Sequence, residues 1–220
     1  MANKVGRTAM ISLEARCISK HFGKRQIVRD LDAVVRSGEC LGIAGANGSG
    51  KSTVLKMLGS LLRPDTGSVI LTINDVVSAN PLASTGLVAP WLAIYEEFTI
   101  RESLALLYQL HGETPIVNEI DSTLQRLDLA SRADDYVKEL SSGLRQRVLL
   151  ALATLRKPAI LLLDEPSITL DAQGKSLVRS EIERHRLSGG VVILATNDSE
   201  ELSWSTSSIS LTTLAVGIQG

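Results

Sequence analysis

Nine consecutive residues constrain this chain more than any others. Gly45-Ala46-Asn47-Gly48-Ser49-Gly50-Lys51-Ser52-Thr53 contains the spacing G-x-x-x-x-G-K-[ST], in which glycines let backbone amides turn inward around phosphate oxygens at the start of a helix. At average residue usage this spacing arises by chance in about one per cent of chains of such length, so the flanking sequence decides its meaning. Before it, the apolar run Cys40–Ala44 reads as a buried strand; after it, Val54, Met57, Leu58 and Leu61 repeat at helical intervals. The loop therefore predicts a phosphate site whose anion also meets the positive end of a helix. Lys51 is expected to reach the β- and γ-phosphates of a nucleotide, and the Ser52 hydroxyl to ligate magnesium.

The rest of the chain fits an α/β layout around that loop. Met10 to Ala44 alternates as strands, with a turn at Gly23-Lys24-Arg25 and another at Ser37-Gly38. Arg63-Pro64-Asp65-Thr66-Gly67 ends the helix that follows the loop, and Ser68–Ile73 and Thr85–Val88 read as further strands. Character changes near Pro90. Thr99 and Glu102 have capping-box spacing, with Ile100, Leu104, Leu107 and His111 at helical intervals, and a second helix is expected over about Val117–Leu127. Residues from about 91 to 140 thus read as a small helical insert in one domain spanning 1–220. Helices at about Leu144–Arg156 and Lys175–Arg186 then alternate with strands at Ala159–Leu163 and Val191–Ala195, and Ser207–Val216 offers an edge strand. Such alternation implies a mostly parallel sheet covered on both faces.

Composition narrows the function classes. With 23 basic and 24 acidic residues the formal charge is -1, so no global positive field holds nucleic acid, and none is expected as a partner. Aromatics are only 3%, which leaves the core to Leu, Ile, Val and Ala. Mean hydropathy is +0.15, yet the longest apolar runs are strand-sized, far short of the ~20 residues of a spanning helix. Met1 to Met10 lacks the apolar segment of a secretory signal. Cys17 and Cys40 lie in apolar, strand-like sequence without metal-ligand spacing, and both are expected to be buried reduced thiols.

Ala159-Ile160-Leu161-Leu162-Leu163-Asp164-Glu165-Pro166 supplies a second element. A buried strand that ends in two adjacent carboxylates is costly unless they are partnered. Read alone, a strand end followed by an acidic helix cap is the other reading. Paired with the phosphate loop, Asp164 is placed to hold magnesium through its water shell, and Glu165 to polarise a water for attack on the γ-phosphate.

Leu140-Ser141-Ser142-Gly143-Leu144-Arg145-Gln146-Arg147 precedes the helix that feeds the strand carrying Asp164. It resembles the Leu-Ser-Gly-Gly-Gln signature of ABC ATPases, with Ser142 for the first glycine and Leu144 for the glutamine. The resemblance extends from about Ser12 to Ile209. It implies a P-loop NTPase fold, with a RecA-like core, an N-terminal antiparallel β part and a small helical subdomain. It implies that Ser141, Ser142 and Gly143 cap the γ-phosphate held by another subunit, and that Asp171, in Ser167-Ile168-Thr169-Leu170-Asp171, contacts the opposite site. Phe22 falls where the family stacks an aromatic ring on adenine; a core aromatic is the other reading of the same side chain. Gly86–Ile100 corresponds to the stretch that faces a membrane partner.

Two positions depart from the family. Pro90 stands for a glutamine, and Asn197, in Ala195-Thr196-Asn197-Asp198, for a histidine. Proline has no side-chain amide to touch magnesium or water, whereas asparagine still donates a hydrogen bond but carries no charge. Glu165 remains, so the resemblance implies an ATPase that uses ATP and magnesium, with Glu165 and Asn197 at the reacting phosphate. The expected setting is a transporter motor: a homodimer or a pair of ATPase chains, closing on ATP and driving a separate integral membrane permease from the cytoplasmic face. The motif style resembles exporters. A non-transport ABC ATPase and a weakly active nucleotide switch are the other readings.

Overall fold

The computed structural model describes residues 9–211. Two sheets carry the chain. Strands β1 (Ile11–Phe22), β2 (Arg25–Arg36), β4 (Thr66–Ile73) and β5 (Val76–Val77) form an antiparallel sheet in the order β2-β1-β4-β5. Strands β3 (Cys40–Ala44), β6 (Thr85–Val88), β7 (Ile160–Asp164), β8 (Val191–Thr196) and β9 (Ser207–Ser210) form a parallel sheet in the order β6-β7-β8-β3-β9. The edge strand expected over Ser207–Val216 thus exists as β9, and residues 212–216 lie outside the described residues. The two-residue strand β5 was not anticipated from the sequence, because it is too short to show a period.

Central parallel strands have no solvent face, so they read as unbroken apolar runs. Alternation nonetheless sorts their side chains. Ile160 and Leu162 of β7, with Val191, Ile193 and Ala195 of β8, pack toward helix α1 (Lys51–Leu58) and the antiparallel sheet. Leu161 and Leu163, with Val192 and Leu194, pack on the other face. That face is covered by α2 (Ile100–Leu110), α3 (Val117–Arg126), α4 (Ser142–Leu155) and α5 (Ala172–Leu187). A short helix, α6 (Ser199–Leu202), follows β8. Among the described residues no helix is long and apolar enough to cross a membrane.

The stretch between β6 and α4 is helical, with 3₁₀ turns at Ala130–Arg132 and Val137–Glu139. Thr99 and Glu102 form the expected capping box at the head of α2: the Thr99 hydroxyl accepts from the Glu102 amide at 3.2 Å, and the Glu102 carboxylate from the Thr99 amide at 2.8 Å. Ile100, Leu104, Ile120 and Leu124 share one apolar cluster with Leu161 and Leu163 of the sheet.

One cysteine is placed differently from the sequence expectation. Cys40 is buried, but Cys17 is exposed. The register of β1 slips between Ala15 and Ile18, and Cys17 takes φ of 47°. This bulge turns the side chain outward and re-phases the strand. Leu13 and Ala15 precede it on the core side, and Ile18 resumes there after it.

Candidate nucleotide site

The sheet order brings three loops together. β8 lies between β3 and β7, with Ala44 opposite Thr196 and Ala195 opposite Asp164. Parallel neighbours about 4.8 Å apart end on one side. The loop Gly45–Gly50, the segment from Glu165 and the segment from Asn197 therefore emerge side by side.

The phosphate loop has the backbone its glycines require. Gly45 has φ of 156°, and a Cβ there would lie 2.5 Å from Ser49 Oγ and 2.8 Å from the Leu211 carbonyl. Gly50 has φ of 103°, and a Cβ would meet Ile27 Cγ2 at 2.7 Å. Helix α1 starts directly after it with no side-chain cap and no acidic residue in its first turn. Its leading N–H groups are thus left for a ligand, with the positive end of the helix behind them.

Lys51 is buried and folds back over its own loop, donating from Nζ to the Gly45 carbonyl at 2.9 Å. The same ammonium lies 3.4 Å from Glu165 Oε1. Glu165 is held with φ of 47°, its amide donating to the Ala195 carbonyl at 2.8 Å. Asn197 Nδ2 donates to Asn47 Oδ1 at 3.0 Å, so the segment after β8 touches the phosphate loop. Asp164 is 3% exposed and its Oδ1 has no hydrogen-bond partner among the described residues. An orphaned buried carboxylate oxygen at the strand end next to Glu165 fits a cation carried by a polyphosphate. Among the described residues no group of three or more His, Cys, Asp or Glu is placed to hold a metal alone. A magnesium ion held by Asp164 and Ser52 would therefore share its remaining ligands with the nucleotide and water.

An open cavity of about 400 Å³ is lined by Phe22, Ile27, Asn47, Gly48, Gly50, Lys51, Ser52, Thr53 and Glu165. Phe22 stands at its rim, 53% exposed, which excludes the reading of Phe22 as a core aromatic. Ile27, on the neighbouring strand, is an apolar wall the sequence did not single out, since one isoleucine in a strand carries no distinguishing signal.

Ser141, Ser142, Gly143 and Asp171 do not line this cavity. Ser141 caps α4, its hydroxyl accepting from the Leu144 amide at 3.3 Å, and Asp171 caps α5 through the Gly174 amide at 2.8 Å. The two turns are neighbours: a Cβ on Gly143 would lie 3.3 Å from the Thr169 carbonyl. Pro90 sits in the turn closed by the Leu92 amide and the Ala89 carbonyl at 3.1 Å, outside the cavity lining. Two buried polar residues near Glu165 escaped the sequence reading. Gln146 donates to the Pro166 carbonyl at 2.8 Å, and Glu201 accepts from the Ser167 hydroxyl. Gln146 had a readable signal, a polar residue on the apolar stripe of Leu149, Leu150 and Ala153. Glu201 lies on a helix of four residues, too short for any stripe.

Both the sequence and the fold have relatives among known proteins. Residues 28–168 match the family described as ABC transporter. The Nod factor export ATP-binding protein I of Rhizobium sp. (strain N33) is 34% identical over 195 residues, which cover 87% of this chain and 64% of that protein. The sulfate/thiosulfate import ATP-binding protein CysA of Synechococcus elongatus is 33% identical over 195 residues, 87% of this chain and 57% of that protein. The chain thus spans less than two thirds of the length of these relatives. Among solved structures, an ATP binding subunit of an ABC transporter superposes with a TM-score of 0.81 at 24% identity, over 91% of this chain and 86% of that one. The ATP-binding cassette MJ0796, solved as a dimer bound to ADP and Pi, does so with a TM-score of 0.79 at 22% identity, over 91% and 94%. With its phosphate loop, its sheet order and its sequence relatives in agreement, the chain belongs to the ABC transporter family of ATP-binding proteins.

Proposed function

We propose that the chain binds ATP with magnesium in the cavity at Lys51 and hydrolyses it, as the motor of a transporter. One observation carries this reading: Lys51 and Glu165 face each other at 3.4 Å across an uncapped helix start. An ammonium that neutralises a carboxylate is set to exchange that partner for phosphate oxygens, which frees the carboxylate for water. Phe22 stacks on the base, and the amides from Gly45 to Thr53 surround the phosphates. Asp164 and Ser52 would hold magnesium, which when bound would neutralise charge on the transferred phosphoryl group. Glu165 then orients a water and accepts its proton, while Asn197 Nδ2 donates to the γ-phosphate. Asn197 already reaches the loop at Asn47, which favours an active site over a nucleotide switch.

In this reading the ATP site is completed by a second copy or a paired ATPase chain, whose Ser141, Ser142 and Gly143 meet the γ-phosphate while its Asp171 contacts the opposite site. The exposure of Ser141 and Ser142 at the head of α4 supports this, since it leaves the turn open to a second chain. A separate integral membrane permease is the further partner, docked at the cytoplasmic face. Trp91 and Tyr95 support that surface, at 48% and 65% exposed, with Lys56 Nζ 4.3 Å from the centre of the Trp91 ring.

Glu165→Gln tests the proposal. It keeps the shape, removes the base and lessens repulsion with the γ-phosphate. Size-exclusion chromatography should show an MgATP-dependent dimer that disperses in MgADP, with turnover abolished. A variant that still hydrolyses ATP like the wild type would remove Glu165 from the mechanism.

A further inference from the structure

Glu165 occupies a backbone conformation that a residue with a side chain adopts only under constraint. Its φ of 47° is left-handed, and the proline that follows disfavours the right-handed helical alternative. Such a conformation persists only where the surroundings over-determine it. Its own amide is held by the Ala195 carbonyl at 2.8 Å. The next two residues are each gripped by a buried polar side chain from a different element. From α4, Gln146 donates Nε2 to the Pro166 carbonyl at 2.8 Å; from α6, Glu201 accepts from the Ser167 hydroxyl. Gln146 is 7% exposed, Ser167 3% and Glu201 2%. Glu201 makes no ion pair among the described residues, and its Oε2 has no hydrogen-bond partner there. A carboxylate buried with so little compensation costs stability, and local rules are broken in this way where function requires it.

We propose that Gln146 and Glu201 are positioning residues for hydrolysis. Together they clamp the segment after Glu165, one at the Pro166 carbonyl and the other at the Ser167 hydroxyl, and so hold the Glu165 carboxylate at the phosphate loop. This inference rests on the proposed ATPase reading. The clamp joins three segments: α4, headed by the Ser141–Gly143 turn; the strand end that bears Glu165; and α6, directly after Asn197. Displacement of α4 is thereby felt at Glu165 through one side-chain amide.

The test is steady-state ATPase kinetics and MgADP affinity for Gln146→Leu, Ser167→Ala, Glu201→Leu and Glu201→Gln, each melted in parallel. The first three are expected to lower kcat about tenfold with KM and ADP affinity within about twofold of wild type, since each loses one hydrogen bond that acts on the reacting geometry alone. Glu201→Gln keeps an oxygen that accepts from Ser167 and is expected to restore kcat to within about threefold of wild type. Wild-type kcat and KM in the first three, with only a lower melting temperature, would overturn the proposal, as would equal losses in kcat and ADP affinity. If Glu201→Leu does not fold, Ser167→Ala deletes a single hydroxyl and carries the same expectation. A wild-type chain that binds no ATP and hydrolyses none refutes the ATPase reading itself. Wild-type turnover with unaffected variants refutes only the clamp.

Discussion

Replacing Lys51 with methionine separates phosphate recognition from folding. The side chain is 6% exposed, so its methylene stem is packed, and methionine fills nearly the same space. The folded chain loses the bond from Nζ to the Gly45 carbonyl at 2.9 Å and the 3.4 Å contact with Glu165. One net hydrogen bond is worth about 1 kcal/mol, and the ammonium no longer has to be buried, which offsets part of that loss. The melting temperature should therefore move by no more than about 2–4 °C. With nucleotide present the loss is larger, because a charge-assisted bond to phosphate oxygen contributes about 1.5–3 kcal/mol. Affinity for MgATP should fall roughly tenfold to a hundredfold. Adenosine, which lacks phosphates, should bind the variant as it binds the wild type, through Phe22 alone. Anisotropy titration with a fluorescent ATP analogue, with unlabelled ATP and adenosine as competitors, measures both. MgATP affinity unchanged in a variant that melts normally would refute the assigned phosphate loop.

Three further outcomes concern Asn197, His185 and the two cysteines. Asn197→His, as an imidazolium, donates from one ring nitrogen to Asn47 Oδ1 and from the other to the γ-phosphate with a charge that asparagine lacks, so ATPase turnover should rise by roughly tenfold to a hundredfold with little change in nucleotide affinity; an equal or lower rate means that Asn197 is already competent. Burial, with Arg184 beside it, pushes the His185 imidazole down to about 4 in the folded chain. The unfolded chain therefore takes up the proton first, and stability present above about pH 6.5 is lost as pH falls toward 4, by about 2 kcal/mol between pH 7.5 and 5. His185 Nε2 has no partner among the described residues, so His185→Phe should flatten that part of the urea-denaturation profile, and an unchanged slope would count against it. Burial pushes the Cys40 thiol up to about 12, and Asp32 raises that of exposed Cys17. A thiol reagent at pH 8 should label one cysteine slowly in the native chain, none in Cys17→Ser, and two in urea.

How much of this was legible in the sequence varies with the range of the interactions involved. Strand and helix types came through because burial on one or two faces imposes a period within a few residues. Cys40–Ala44 and Thr85–Val88 keep the bounds they have in the sequence reading. The first turn of α1 did not: apolar spacing starts at Val54, whereas the helix starts at Lys51, because the residues before Val54 are chosen for the phosphate loop. Cys17 failed for a related reason. Alternation carries no record of a bulge, and one extra residue sends a side chain to the opposite face.

The phosphate loop is a local product of the sequence, since the left-handed backbone at Gly45 and Gly50 is a demand that the glycines themselves meet. Only the tertiary structure decided what stands around it. Chain order does not state that β8 inserts between β3 and β7, because strand pairing is a hydrogen-bond match between segments far apart in the chain. That insertion sets Asn197 against Asn47 across 150 positions of sequence and Glu165 against Lys51. It likewise closes Gln146 and Glu201 on the peptide after Glu165. Local physics could write the motif, while the distances that let the motif act depend on how the sheet is ordered and which helices cover it.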